Sequence, residues 1–323
     1  MDNVPPKMMF LMLPLGFSAV VISVIYGLRS AIFVGLFVSG IASVALGNSF
    51  SALLTGLLVS GIAGFAVRYS ADYKKFFAYT FLSCWLVTTV SGIVFLGADL
   101  MEEGIFSNAR LLILLPILGA ICTAVCALAV LTVFELFPGV TTNMTFLTYT
   151  DRNHPLLKRL QMEAPGTYHH CERVASIAEK AATSIGCDPW KVQACALFHD
   201  IGKLSAPGMF TENAEGINTH EKLTPEESAA IIRKHVTYGL ELARKYKLKR
   251  SLREAIACHH GTSFISFFYQ MEQKLHPDET ISEEKFRYNG PLPQDKENTI
   301  LMLADCCEAA LRSCISPTPD EIY

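Results

Sequence analysis

Imidazole and carboxylate side chains recur through the second half of the chain in the order His170, His199-Asp200, His235, His259-His260 and Asp305. A pair of borderline transition metals needs this mixture of nitrogen and oxygen donors, and a carboxylate directly after a histidine can bridge two ions while its neighbour binds one. The order therefore reads as a two-metal hydrolase site. A lone histidine is more often a core or surface residue, but these residues stand where such a role is costly. His199 and Asp200 close an apolar helical run in the string FHDIGK, residues 198 to 203, and an acid beside an imidazole is expensive to bury without a cation. His259-His260 closes another such run and is followed by Gly261, which can end a helix in a left-handed turn. Asp305 follows Leu301-Met302-Leu303-Ala304, where a lone carboxylate is equally costly.

Within the first histidine pair, His170 is preferred to His169, because Val174 four residues on shares its helical face and continues an apolar stripe. His154, His220 and His276 are not expected as ligands, although His220, in a loop bordering the site, can reach substrate. Lys203 lies four positions after His199, within helical reach of the same face, and would offset phosphate charge; Arg312, seven residues after Asp305, is a further candidate. Two ions can lower the pKa of a bridging water toward about 7 and hold a phosphate for in-line attack. No serine or cysteine nucleophile is required, and no glycine-rich phosphate cradle is present. The mixed donor set suits Mn or Fe better than Mg.

The elements that position these residues divide sharply by composition. Hydrophobic residues make up 51% and charged ones only 18%, and the mean hydropathy is +0.32. The excess lies in the first half, where apolar runs at residues 8 to 27, 31 to 48, 50 to 67, 76 to 98 and 110 to 137 each approach the roughly 17 to 25 residues that cross a bilayer as helix. Arg29, Arg68, Lys74 and Lys75 fall in two loops, and Asp99, Glu102 and Glu103 in another. The rule that positive loops face the cytoplasm then puts the amino terminus outside and everything after Phe137 in the cytoplasm. An exported amino terminus without a signal ahead of it leads us to expect either upstream sequence or a start assigned late. Glu135, near the end of the last span, is close enough to the interface to reach water. Gly35, Gly40, Gly56, Gly61 and Gly64 are expected to allow close helix packing.

At Phe137-Pro138-Gly139 the hydropathy collapses, giving a transmembrane region over 1–137 and a helical domain over 138–323. Asp188-Pro189 reads as a helix start, and Thr224-Pro225-Glu226-Glu227 and Ser251-Leu252-Arg253-Glu254 have capping-box spacing. Val174, Ile177, Ala178, Ala181 and Ile185 recur at helical spacing, and residues 206 to 222 and 277 to 295 read as loops bordering a site. The ten cysteines include no CxxC pair; Cys84, Cys122 and Cys126 fall in apolar spans and read as free, buried thiols, while Cys306, Cys307 and Cys314 share one helical run. The net charge of −3 argues against a general nucleic-acid binder.

This order of histidines and aspartates resembles that of the HD-domain phosphohydrolases, all-helical enzymes acting on phosphate esters with one or two metals. The strings EAPGTYHH (163 to 170), HDIGK (199 to 203), NTHEKLTPEESAAIIRKHV (218 to 236), CHHGTS (258 to 263), FRYNGPLPQ (286 to 294) and MLADCCEAALRS (302 to 313) resemble more narrowly the PgpH-type seven-transmembrane HD phosphodiesterases. That family cleaves the bacterial second messenger cyclic di-AMP, and DRNHPLLKRL (151 to 160) fits its entry to the domain. The resemblance implies that His170, His199, Asp200 and Asp305 hold one metal and that Asp200, His235, His259 and His260 hold the other, with Asp200 bridging. It implies an all-α, polytopic protein of the bacterial inner membrane with a cytoplasmic HD domain. Cyclic di-AMP and the lipid bilayer are then its partners, homo-oligomers are compatible, and no nucleic-acid polymer is involved. Members carry an extracytoplasmic domain and seven spans, whereas five are seen here; an amino-terminal truncation and further helical sequence beyond Tyr323 are therefore expected. Cys171 stands where serine is usual. Other HD chemistries act on dNTPs, alarmones or cyclic di-GMP, the last with a GYP string absent after His260. From a different class, a non-catalytic nucleotide receptor or scaffold would use the same fold.

Overall fold

The structure is a computed structural model. It describes residues 6–313 apart from 69, 71, 104, 138 and 215–218, with the backbone alone described for 6–7, 97–103, 105–109 and 313. Cys314 and Pro138 therefore lie outside the described residues, as do the side chains of Asp99, Glu102 and Glu103. Among the described residues there are thirteen α-helices and no strand, only an isolated bridge between Phe264 and Arg287.

The chain divides into two compact units, Met1–Thr145 and Phe146–Tyr323. The division falls a few residues after the Phe137-Pro138 break, because Met144 is buried with the apolar helices of the first unit. That unit contains α1 (Phe17–Tyr26), α2 (Leu28–Ala45), α3 (Phe50–Val67), α4 (Tyr73–Glu103) and α5 (Ile105–Glu135). Five apolar segments, Met8–Tyr26, Leu28–Ala45, Phe50–Val67, Tyr73–Leu96 and Arg110–Glu135, are long enough to cross a membrane. Rows of exposed apolar side chains, such as Phe33, Phe37 and Val44 on α2, would be costly in water and mark the chain as a membrane protein. The glycine expectation holds in part: a β-carbon on Gly35 would collide with Ser60, and one on Gly56 with Ser39, whereas Gly40 and Gly61 face open space. Glu135 takes hydrogen bonds from Tyr73 and Thr142. Cys84 is buried, but Cys122 and Cys126 are exposed on the outer face of α5, correcting the reading of all three as buried.

The second unit is a helical bundle. After α6 (Asn143–Tyr149) and α7 (Pro155–Glu163) come α8 (Pro165–Ser184), α9 (Pro189–Phe198), α10 (Pro225–Lys245), α11 (Arg250–Cys258), α12 (Ser266–Leu275) and α13 (Lys296–Ser313). Asp188 caps α9 by accepting from the Trp190 and Lys191 amides, and Thr224 with Glu227 forms a complete capping box on α10. Ser251 does not cap. Helix α11 begins at Arg250, one turn after Lys247 takes a left-handed conformation, which places Ser251 inside the helix. The buried stripe of α8 runs through Cys171, Val174, Ala175, Ala178 and Ala182; Ala181 and Ile185 are exposed, because the helix presents the neighbouring face to α9. The core gathers Leu157, Leu160, Phe198, Leu252 and Leu301 from these helices and Ile201 from the 3-10 turn that follows α9.

Candidate metal centre

Five segments of the bundle meet at Asp200. His170 projects from the first turns of α8, His199 and His259 stand at the carboxyl ends of α9 and α11, His235 lies within α10, and Asp305 within α13. Asp200, His170, His199, His235 and His259 are each about 99% buried or more, and His169 points to the surface. One oxygen of Asp200 lies 3.5 Å from His170 Nε2 and 3.3 Å from His199 Nε2; the other lies 3.4 Å from His235 Nε2 and 3.6 Å from His259 Nε2. The carboxylate therefore faces a histidine pair on each side. Asp305 completes one side at 3.0 Å from His170 Nε2, and His260 completes the other. Thus all seven residues singled out by type and spacing fall into two adjoining groups whose donor atoms lie within 4.8 Å of one another.

The second nitrogen of each buried imidazole fixes which nitrogen faces inward. His199 Nδ1 donates to the Ala196 carbonyl at 2.7 Å, His235 to Ile232 at 2.5 Å, and His259 to Ile256 at 2.9 Å. For His199 and His259 these acceptors are carbonyls in the last turns of α9 and α11, which a helix end leaves without amide partners. A carbonyl can only accept, so Nδ1 carries a proton in each ring and Nε2 is the nitrogen turned towards the carboxylates. His170 Nδ1 is held instead by Glu308, at 2.5 Å, and Arg173 pairs with the other oxygen of that carboxylate.

With both protons placed outward, the Nε2 lone pairs of His235 and His259 face each other at 3.2 Å. That approach is repulsive without a cation between them. Two imidazole donors about 2.0 to 2.1 Å from one ion would stand about 2.9 to 3.4 Å apart. Nε2 of His170, Nε2 of His199 and one Asp200 oxygen are also buried without a hydrogen-bond partner. The donor set fits divalent metal. The two sides differ in charge: burial drives His235 down to about 3 and His260 well below the usual imidazole range, leaving both neutral, whereas at His199 burial is outweighed by the Asp200 carboxylate beside it, which raises that imidazole well above the usual range, so a cation bound there would have to displace its second proton. Burial opposes ionisation of Asp200 and Asp305, but Lys203 and His199 beside the first, and His170 beside the second, hold both carboxyls well below the usual range.

Lys203 is placed differently from a free phosphate-facing ammonium. It lies in the short 3-10 turn after Asp200, where its Nζ sits 2.6 Å from Asp200 and 2.7 Å from Glu212. Burial disfavours the ammonium, yet the two carboxylates outweigh it and keep it charged. Glu212 also accepts from Thr167 and pairs with Arg312 at 3.3 Å, which accounts for Arg312. The turn reaches this position because Gly202 lies against the α10 backbone, where a β-carbon would collide with the His235 carbonyl. His220 donates to the Met209 carbonyl and lies against Phe268, on a cavity of about 640 Å³ that Phe210 and Glu212 also line. His154 caps α7, and Cys171 packs 3.9 Å from His199 Nδ1.

Sequence reading missed four residues of this neighbourhood. Glu308 is three positions after Asp305 on one helical face, a signal that could have found it. Glu212 carries no such signal, since it comes from a loop. Tyr288 stacks on His260 with ring centroids 4.2 Å apart, and Arg233 precedes His235 by two residues. Both line a cavity of about 410 Å³ that opens beside His260.

Residues 167–310 match the HD domain family. The chain is 34% identical over 266 residues to the cyclic-di-AMP phosphodiesterase PgpH of Bacillus subtilis, an alignment covering 74% of this chain and 37% of that protein. It is 38% identical over 206 residues to the protein of the same name from Listeria monocytogenes, covering 64% of this chain and 28% of the relative. The crystal structure of the L. monocytogenes PgpH HD domain in complex with cyclic-di-AMP superposes with a TM-score of 0.51 at 41% identity, over 54% of this chain and 80% of that one. This chain belongs to the PgpH-type HD-domain family. It spans less than two fifths of the length of these curated relatives.

Proposed function

We propose that this chain is a membrane-anchored, metal-dependent phosphodiesterase that hydrolyses cyclic di-AMP to linear pApA. The observation that carries the reading is the pair of facing Nε2 lone pairs beside a carboxylate shared between two histidine pairs. His170, His199 and Asp305 would hold one ion and His235, His259 and His260 the other, with Asp200 common to both and Mn or Fe the expected metal. When bound, such a pair neutralises phosphate charge and supplies an activated water. The protein's own contribution is positional and electrostatic. The Nδ1 to carbonyl bonds lock the imidazole planes, Glu308 does the same for His170, and Lys203, itself held by Glu212, keeps Asp200 ionised and fixed in direction. The nearest thiol, Cys171, is buried against the Nδ1 side of His199 and held protonated chiefly by burial, so in this reading water is the attacking species. The substrate is carried over from the relatives, one of which is seen with cyclic di-AMP on its HD domain. In this reading the HD domain is cytoplasmic and the five apolar helices span the bilayer.

The test is incubation of the detergent-solubilised chain with Mn and a panel of cyclic dinucleotides. Cyclic di-AMP should be converted to pApA faster than cyclic di-GMP. Tight binding of cyclic di-AMP without turnover under the same conditions would make the protein a receptor or scaffold instead.

A further inference from the structure

A cyclic dinucleotide carries two phosphodiesters, and only one can be cleaved at a time. If the reading above holds, the second phosphate must be accommodated away from Asp200. The cavity beside His260 suits it: His260 and Tyr288 form one wall, Arg233 and Lys234 contribute cations, and no carboxylate lines it. The cavity of about 640 Å³ beside His220 is lined by Glu212 and Glu221 and would repel an anion. The cavity beside His260, at about 410 Å³, lies within the range of small-molecule sites, about 300 to 1,000 Å³.

Arg233 is the decisive group. Its Nε is buried with no hydrogen-bond partner, while one terminal nitrogen donates to the Arg287 carbonyl at 3.3 Å. A buried N–H without an acceptor is costly. The planar guanidinium presents its donors in a fork matched to phosphate oxygens; its buried Nε holds the plane against the protein, and as a lining residue Arg233 offers its charge and terminal nitrogens to a phosphate in the cavity. Arg233 reaches the cavity from the same helix that presents His235 to the metal centre, two residues away. Helical spacing turns the two side chains about 200° apart, which separates binding of the uncleaved phosphate from cleavage of the other. We propose that Arg233 binds the non-scissile phosphate of the cyclic dinucleotide and so sets the preference for a substrate with two phosphates.

Steady-state kinetics on the metal-loaded full chain test this with Arg233→Gln and Arg233→Lys. The Gln variant should raise KM for cyclic di-AMP by about 10- to 100-fold, the loss expected of a charged hydrogen bond, with kcat within about threefold. Arg233→Lys should recover part of the loss, because it keeps the charge without the fork. Metal content and the inhibition constant for inorganic phosphate, a ligand with one phosphorus, should match wild type in both variants. The salt dependence of KM should become shallower in Arg233→Gln, as expected when one cation leaves the binding surface. An unchanged KM overturns the proposal, as does a phosphate inhibition constant that rises in step with KM or a loss of metal, since either would make Arg233 a support of the metal centre. A wild-type chain that does not turn over cyclic di-AMP removes the substrate reading itself, a result recognisable before any variant is made.

Discussion

Asp200 is the residue on which the account turns, because each of its oxygens faces a different histidine pair. Asp200→Ala should remove the shared ligand, lower metal stoichiometry measured by plasma emission, and abolish cyclic di-AMP hydrolysis; turnover persisting after chelation and reloading would contradict this. Lys203 can be separated from metal binding. Lys203→Met keeps the volume but leaves Asp200 and Glu212 without their common cation, so we expect both ions to remain and kcat to fall about ten- to a hundredfold. Unchanged kinetics with intact metal content would reduce Lys203 to a structural ion pair. His199-Asp200, His259-His260 and Asp305 were legible from sequence because each stands at the end of, or within, an apolar run where an unpaired polar group is costly, whereas His170 was found by the helical face it shares with Val174 and His235 by its place in the ordered set. Glu212 and Arg233 were not legible, since one comes from a loop and the other is an ordinary arginine on an amphipathic helix until its Nε is seen buried without a partner.

At the scale of elements, local signals were read well where the chemistry is local. Asp188 and the Thr224 to Glu227 box cap their helices as their spacing predicts, whereas the Ser251 spacing was overridden by the left-handed turn at Lys247 that starts α11 earlier. Thr224→Ala should cost about 1 kcal/mol, a fall of about 2 to 4 °C in the melting temperature of a unit this size, with activity retained. A larger fall accompanied by loss of metal would mean that α10 is held chiefly from its first turn. Gly202→Ala is the opposite case. Its β-carbon would meet the His235 carbonyl, so α10 or the Lys203 turn must shift; we expect about 1 to 3 kcal/mol of destabilisation and, unlike the cap variant, reduced metal retention. A Gly202→Ala protein with wild-type stability and metal content would show that the turn has room the structure does not display.

The whole molecule joins an apolar helical unit to a metal-binding bundle, and hydropathy alone made that division visible. Two features of it were not readable. The boundary lies after Met144 because that side chain packs with the apolar helices, and α5 exposes Cys122 and Cys126 because the outer face of so apolar a helix carries no polar signal. Cys306 and Cys307, both exposed on α13, offer a test of orientation: with the HD domain cytoplasmic, a membrane-impermeant maleimide should label them in inverted vesicles and not in intact cells. Labelling in intact cells would reverse the proposed topology. The central claim, that the facing imidazoles and shared carboxylate are a catalytic metal centre, is tested most directly by metal analysis and cyclic di-AMP hydrolysis on one preparation of the full chain, stripped with chelator and then titrated with Mn. The account predicts no turnover in the stripped protein and pApA formation that rises with Mn and saturates near two ions per chain; full activity in the stripped protein, or two bound ions with no hydrolysis, would contradict it.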